Sequence, residues 1–381
     1  MKRTLFDSDH EDFRVTCRAF VDRYLRPAQE KHIANHEFGR EMWLELGRHD
    51  LLGLNVDEAY GGSGVGDPRF SLVLSEELSK LAFAYSSCVG LHSDCVAPYL
   101  VDLCTEEQKQ RWLPRFCTGE LVTAIAMTEP SGGSDLASLR TTAVPDGDDW
   151  VINGSKTFIT NGYSADLVLV AARTNPDLRA HGITLFAVEA GMPGFERGRK
   201  LEKVGQPEAD TAELFFADVR VPSSNVVGEV DRGFGYMMER LVTERMGAAV
   251  NNLSHARQIL SETLDYVKER RAFGQPIGSF QANKFKLAEL VTMCEVSQSF
   301  VDSCVLAQLD HTLTAVDAAK AKWWAAQVQN DVLDACVQLY GGYGFMTEYR
   351  VARAWQDARV SRIWAGTNEI MKELIGRDLG L

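Results

Sequence analysis

The hydrophobic periodicity of the chain changes twice, and the changes divide it into three. From residue 1 to 122 apolar residues recur every three to four positions, in HEDFRVTCRAFVDRYLRPAQE, GREMWLELGRHDLLGL, RFSLVLSEELSKLAF and TEEQKQRWLPRFCTG, which is the spacing of amphipathic helices. From 123 to 232 the pattern becomes short β-rich runs, including DWVINGSKTFITNG, ADLVLVAART, ITLFAVEA and TAELFFADVRVP, separated by Gly, Pro, Asn and Asp. From 233 to 381 long helical patterns return, broken at RAFGQPIGSFQ and QLYGGYGF. The expected fold is therefore α+β and multi-domain: an N-terminal α-helical domain (1–122), a middle antiparallel β-domain (123–232) and a C-terminal α-helical bundle domain (233–381), without internal repeats.

Composition narrows the function classes. At 45% hydrophobic and 24% charged residues the 381-residue chain suits packed domains. A net charge of -13 would repel phosphate backbones, which argues against nucleic-acid binding by a broad face while leaving room for a local basic pocket. No stretch approaches the roughly 18 uninterrupted apolar residues of a membrane span. The N-terminus, MKRTLFDSDHEDFR, has neither the apolar core of a signal peptide nor the acid-poor character of a transit peptide. A cytoplasmic protein of a prokaryote is expected, and a mature organelle protein would read the same. The eight cysteines form no CxxC pair and lie mostly in helical apolar patterns, so reduced core thiols are expected. His32 and His36 share a helix face at i, i+4 but have no third ligand, so a solvated face is the reading and no metal is predicted.

Several loops carry the residue types that chemistry needs. The glycine cluster YGGSGVGD (60–67) lacks GxGxxG spacing and follows no clear strand, so it reads as a turn before the next helix. AMTEPSGGSD (126–135) combines hydroxyls, glycines and a proline-marked turn, which suits backbone N–H groups presented to a ligand and equally suits a plain polar loop. FITNGYSAD places Thr160 and Asn161 after a strand, compatible with a planar cofactor or a hairpin turn. Arg270 and Arg271 fall near a helix C-terminus, where a guanidinium can meet phosphate or simply cap the helix. QLYGGYG (338–344) and AGT (365–367) supply backbone that can be approached closely.

Taken together, AMTEPSGGSD, FITNG, ERRAFGQPIGSFQ, QLYGGYGF and AGTNEIMKELIGRDL resemble the acyl-CoA dehydrogenase family, in the family's order and spacing and over essentially the whole chain. The resemblance implies a helical N-terminal domain, a β middle domain, a C-terminal four-helix bundle, non-covalent FAD between them, and a homotetramer or dimer that shares FAD sites across subunits. It implies Met127, Thr128, Phe158 and Thr160 at the flavin, with Thr160 near N5, and Ser134 by the cofactor, the thioester and the pantetheine. It implies Arg271, Gln281, Gln338, Gly341 and Gly342 on the FAD of a neighbouring subunit, and Thr367, Asn368 and Glu369 on FAD at the C-terminal turn. Position 280 is Phe where several relatives have His, so no polar contact is expected there.

The family reaction removes a proton alpha to a thioester while the beta hydride goes to flavin N5, giving a trans-2-enoyl product. Most relatives carry the base as a Glu immediately before the Gly-Thr of the C-terminal turn, and this chain has Ala365 there. In the long-chain and isovaleryl members the base stands instead on the first long C-terminal helix before an Arg, which here is Glu244 followed by Arg245. The residues support this separately: Glu244 shares a helix face with Met237, Leu241 and Ala248, and a carboxylate on an apolar face needs a reason. The bland alternative is an i, i+4 ion pair with Arg240 on a solvated surface. Arg245 reads as a positioning residue, and Ala365 and Gly366 as substrate-facing backbone, with the Ala365 N–H and the FAD ribityl 2'-hydroxyl implied as donors to the thioester oxygen.

The expected activity is FAD-dependent α,β-dehydrogenation of a medium- or long-chain acyl-CoA, in fatty-acid β-oxidation, with electrons passing to electron-transferring flavoprotein. An acyl-carrier-protein thioester or an isovaleryl-type branched substrate are alternatives with the same chemistry. A non-catalytic acyl-CoA-binding flavoprotein is the alternative of another class, and Glu244 is the feature against it.

Overall fold

The computed structural model describes residues 3–381, so the first two residues of the N-terminal segment read above lie outside the described residues. Seven helices come first: α1 (Ser8–Phe20), α2 (Arg26–Asn35), α3 (Arg40–Arg48), α4 (Arg69–Leu81), α5 (Phe83–Gly90), α6 (Ala97–Leu103) and α7 (Glu106–Cys117). Their starts follow local chemistry. Asp7 and Thr105 close capping boxes with His10 and Gln108, satisfying N–H groups that the first turn leaves open. Two joints, Val21–Leu25 and Leu91–Val96, are π-helical, so α1–α2 and α5–α6 each run nearly continuously through a widened turn. The glycine cluster is the connection between α3 and α4, with Gly61, Gly64 and Gly66 at positive φ.

The C-terminal end of α3 lies hard against the turn that leads into the sheet. A Cβ on Gly47 would stand 2.2 Å from Thr118 O, and one on Gly119 would stand 2.1 Å from Trp43 O. Overpacking of this kind costs about 1–3 kcal/mol. Gly47→Ala is therefore expected to lower the thermal midpoint, as scanning calorimetry would read.

The middle domain is one sheet of β1 (Thr123–Ala126), β2 (Thr142–Asp146), β3 (Asp149–Thr160), β4 (Leu167–Arg173), β5 (Ile183–Glu189), β6 (Phe195–Lys200), β7 (Thr211–Pro222) and β8 (Val226–Val227). Its order is β6-β7-β3-β2-β4-β5-β8, with β1 also on β4. Most ladders are antiparallel as expected, but β1 runs parallel to β4 and β2 touches β4 in parallel through Thr142 and Arg173. The β2–β3 hairpin lies between β1 and β4 in sequence and makes that parallel return possible. In β4, Leu167, Leu169 and Ala171 join one core and Val168, Val170 and Ala172 another. Burial on both faces explains why ADLVLVAART reads as an unbroken apolar run.

Three long helices dominate the rest: α8 (Gly233–Glu269), α9 (Gln281–Leu309) and α10 (Ala315–Tyr340), followed by α11 (Arg350–Ala358) and α12 (Asn368–Asp378). A tight hairpin of β9 (Arg271–Ala272) and β10 (Gln275–Pro276) separates α8 from α9. Ala318, Ala321 and Ala325 let α10 approach α8 closely in a core with Ala249, Leu253 and Ala256. Among the described residues α9 alone is long and apolar enough by composition to cross a bilayer. One side of it packs on α8 and α10, while Phe285, Val296, Phe300 and Leu306 stand exposed on it.

His32 is buried 2.9 Å from Tyr85 OH, and His36 ends α2 in a left-handed conformation. All eight cysteines are free thiols.

Candidate active site

Near its N-terminal end α8 presents Met237 to a core shared by the N-terminal helices and the sheet, and Leu241 is buried one turn further along. One turn on, Glu244 lies half-buried, and its Oε1 is buried with no hydrogen-bond partner. Burial pushes the carboxyl up to about 7, against the pull of Arg245 and Arg240. Cys95 and Tyr99, from the segment around α6, are close enough that Glu244 raises both of their pKa values, after burial itself. The Tyr99 hydroxyl is likewise buried without a partner.

Arg240 does not form the i, i+4 pair. It donates to Asp102 Oδ2 at 3.1 Å and to Pro98 O at 3.4 Å, and its guanidinium lies 5.0 Å from the centroid of the Tyr99 ring. Glu244 is therefore an unpaired carboxyl in an apolar setting, ionising near neutrality, which are the properties a general base requires.

Beside it stands the C-terminal turn. Ala365 (φ 52°) and Gly366 (φ 86°) are both left-handed, an arrangement that glycine takes freely and alanine only under constraint. Thr367 caps α12, its hydroxyl accepting from Ile370 N at 3.2 Å. The N–H groups of Ala365 and Gly366 find no acceptor among the described residues. Asn368 is buried with Oδ1 unpartnered, Trp364 Nε1 is unpartnered too, and Glu369 is exposed. Arg245 Nη2 lies 3.8 Å from where a Cβ on Gly366 would stand, so the turn and the residue next to Glu244 meet.

Sequence periodicity left one participant unnoticed. Lys322 on α10 is fully buried and donates from Nζ to Gly366 O at 2.6 Å. Its spacing from Ala318, Ala325 and Ala326 places it on the buried face of the helix, and that spacing is the signal that would have found it.

The AMTEPSGGSD loop is pinned from beneath. Glu129, nearly fully buried, accepts from Arg140 N (2.6 Å), Thr141 N (2.8 Å) and Lys156 Nζ (2.9 Å), and Lys156 also donates to Met127 O at 3.0 Å. Despite burial, these donors hold the Glu129 carboxyl at about 2. Thr157 N donates to Thr128 O at 3.0 Å. Met127 and Thr128 are thus fixed and half-exposed, and Ser134 is exposed beyond them. Met127 packs on the same core as Tyr99 and Met237, which brings this loop and the Glu244 end of α8 to one junction of the three domains.

A bulge in β3 turns Phe158 to φ 59° and leaves it 68% exposed, with Thr160 half-buried after it. Asn161 is an anchor rather than a free donor: its Nδ2 bonds Cys88 O (3.0 Å) and Thr123 O (3.3 Å).

The remaining residues gather elsewhere. Gln338, Gly341 and Gly342 line an open cavity of about 470 Å³ with Tyr266, Arg270 and Tyr343. Arg271 is exposed and donates to Gly274 O at 2.6 Å, and Gln281 is exposed at the start of α9. Tyr266 follows Glu244 by 22 residues on one helix, about 33 Å at 1.5 Å per residue. Within a single chain the structure does not bring this cavity to Glu244.

Three family models match the chain: acyl-CoA dehydrogenase N-terminal domain at residues 7–120, middle domain at 124–219 and C-terminal domain at 231–380. The chain is 46% identical to the mitochondrial long-chain specific acyl-CoA dehydrogenase of Sus scrofa, over 99% of this chain and 88% of that one. It is 36% identical to the mitochondrial isovaleryl-CoA dehydrogenase of Pongo abelii, over 97% and 88%. A crystal structure of an acyl-CoA dehydrogenase from Geobacillus kaustophilus superposes with a TM-score of 0.98 at 44% identity, covering all of both chains.

Proposed function

The chain belongs to the acyl-CoA dehydrogenase family, and we propose that within it the chain oxidises a medium- or long-chain acyl-CoA, with Glu244 as the base that removes the α proton. FAD dependence and the oxidoreductase class come with the family. When bound, FAD supplies the two-electron acceptor for the β hydride. The observation that carries the reading is the unpaired, buried Oε1 of Glu244 at the junction of the three domains.

The residues present suit the cofactor. Met127, Thr128 and Ser134 offer a pinned loop at the Glu244 end of α8, with the exposed Phe158 and the half-buried Thr160 following the Thr157 N–Thr128 O hydrogen bond, and together they would hold the flavin with Ser134 toward the pantetheine. Thr367, Asn368 and Glu369 add a helix N-terminus with an orphaned buried amide oxygen. Gly341 and Gly342 have nothing within 4 Å of where a Cβ would stand, so their backbone can meet a ligand directly. With Arg271, Gln281 and Gln338 they would serve a second FAD. Tyr266, which lines the same cavity as Gln338, Gly341 and Gly342, lies about 33 Å along α8 from Glu244, and this separation supports a cofactor shared with another subunit. The exposed apolar residues of α9 supply a surface for such an assembly, and a homotetramer is the form proposed.

In the reaction, the Glu244 carboxylate takes the α proton. The pair left on carbon delocalises to the thioester oxygen, where the free Ala365 N–H is the chain's own donor. Because the base works ionised and its carboxyl is held at about 7, kcat/KM should rise tenfold per pH unit below about 7 and level off between about 7 and 8. A pH profile of kcat/KM on one acyl-CoA checks this; a flat profile from pH 5.5 to 8 would count against Glu244.

Long-chain preference is supported by the 46% identity to long-chain specific relatives against 36% to isovaleryl ones. Electron-transferring flavoprotein is the proposed electron acceptor. Anaerobic mixing with saturated acyl-CoAs of graded length, following flavin bleaching, tests the reading: bleaching strongest with medium or long chains supports it, and none at any length would end it.

A further inference from the structure

Lys322 presents a problem of buried charge. Its ammonium is fully buried, yet it forms no ion pair among the described residues and donates only to Gly366 O. Arg245, also buried, makes no hydrogen bond or ion pair within 4 Å among the described residues, and its Nε is orphaned. Both cations flank the Ala365–Gly366 turn, which leads through the N-cap Thr367 into the positive end of the α12 dipole. Two buried cations without a hydrogen-bonded counter-ion, one of them offset only by the neighbouring Glu244 carboxyl, are unfavourable beside a helix N-terminus in the free protein. Negative charge arriving at the turn would relieve them.

We infer that Lys322 is a positioning residue for the reaction: it clamps the left-handed Ala365–Gly366 turn and, with Arg245, sets the positive surroundings in which the thioester oxygen gains charge. The inference rests on the dehydrogenation reading above. When the α C–H bond breaks, the proton goes to Glu244 and the electron pair spreads onto that oxygen. Fixed positive groups stabilise this charge without having to reorganise. Burial, and after it Arg245 on α8, lowers the Lys322 pKa to about 8, and Glu369 on α12 is the charged group that opposes them. Lysine is cationic below its pKa, so the benefit should fade above about pH 8 and give kcat/KM an alkaline limb.

The experiment compares holoenzymes carrying Lys322→Met, Lys322→Gln and Lys322→Arg with wild type. One probe is a 3-thiaacyl-CoA, which can lose its α proton but has no β C–H to surrender. Its ionisation on the enzyme is read from the long-wavelength absorption it gives beside oxidised flavin. Lys322→Met should lower kcat by about 10²-fold with KM nearly unchanged, raise the analogue's apparent pKa by about one to two units, and abolish the alkaline limb. Lys322→Arg, which keeps the charge, should restore most of the loss.

A folded, flavin-bearing Lys322→Met enzyme with wild-type kcat and analogue pKa would overturn the inference. Should that variant fail to retain FAD, Lys322→Gln decides by the same pKa, raised in support or unchanged in refutation. Failure of the underlying reading looks different, since wild type itself would then neither bleach with saturated acyl-CoAs nor ionise the analogue.

Discussion

Glu244→Gln is expected to lower kcat by about 10²–10⁴-fold, the range that a positioned general base contributes, while FAD content and acyl-CoA affinity stay near wild type. Glutamine keeps the volume and loses the basicity, and no hydrogen bond to Oε1 has to be replaced. A second consequence separates this from a folding defect. The folded carboxyl is raised to about 7 from an ordinary 4.5, so between those values the folded state holds a proton that the unfolded state has released. Wild-type stability therefore falls as pH rises through that window. Glu244→Gln removes this dependence, and its thermal midpoint should match or exceed wild type at pH 8, where the buried charge opposes folding. Full activity in a folded Glu244→Gln enzyme would leave the proton without an acceptor and remove the assignment.

The features legible in the sequence are those with a local cause. Helical and strand periods divided the chain, because each domain buries one face of its elements or, in β4 and β5, both. Glu244 stood out because a carboxylate among Met237, Leu241 and Ala248 contradicts its own helix face. What escaped depends on partners distant in sequence. An ion pair of Arg240 with Glu244 stood as the bland alternative, and the sequence could not dismiss it, because Asp102, which draws Arg240 off, lies 138 residues away. Lys322 looked like any helix lysine, since the carbonyl it holds lies 44 residues further along. Asn161 stayed open between a cofactor contact and a hairpin turn because nothing nearby in sequence shows that the carbonyls of Cys88 and Thr123 take its amide. The π-helical joint at Leu91–Val96 keeps an apolar pattern that looks helical throughout, and its extra residue per turn shows only once the chain is folded.

Glu129 and Lys156 lie on the same divide, and their asymmetry gives the largest stability effect expected in the chain. Glu129→Ala strands the fully buried Lys156 ammonium with Met127 O alone and strips the N–H groups of Arg140 and Thr141 of their acceptor. Breaking a buried pair from one side costs roughly 3–5 kcal/mol. Lys156→Met leaves the carboxylate with both backbone donors, so its cost should be clearly smaller, by the asymmetry between an orphaned charge and one still bonded. Denaturant midpoints of the two variants measure the difference, and equal losses would refute it.

The pH dependence follows from the direction of the Glu129 shift. The carboxyl falls to about 2 in the fold from an ordinary 4.5, so its contribution is complete above about 4.5 and disappears as pH falls toward 2. Glu129→Ala should therefore be less acid-sensitive than wild type in that window. Because Lys156 and Glu129 together fix the carbonyl of Met127 and the strand leading to Thr128, the same substitution should release FAD at lower denaturant than wild type, before the domains unfold. Coincident loss of flavin and of secondary structure would mean that the loop is held by something other than this pair.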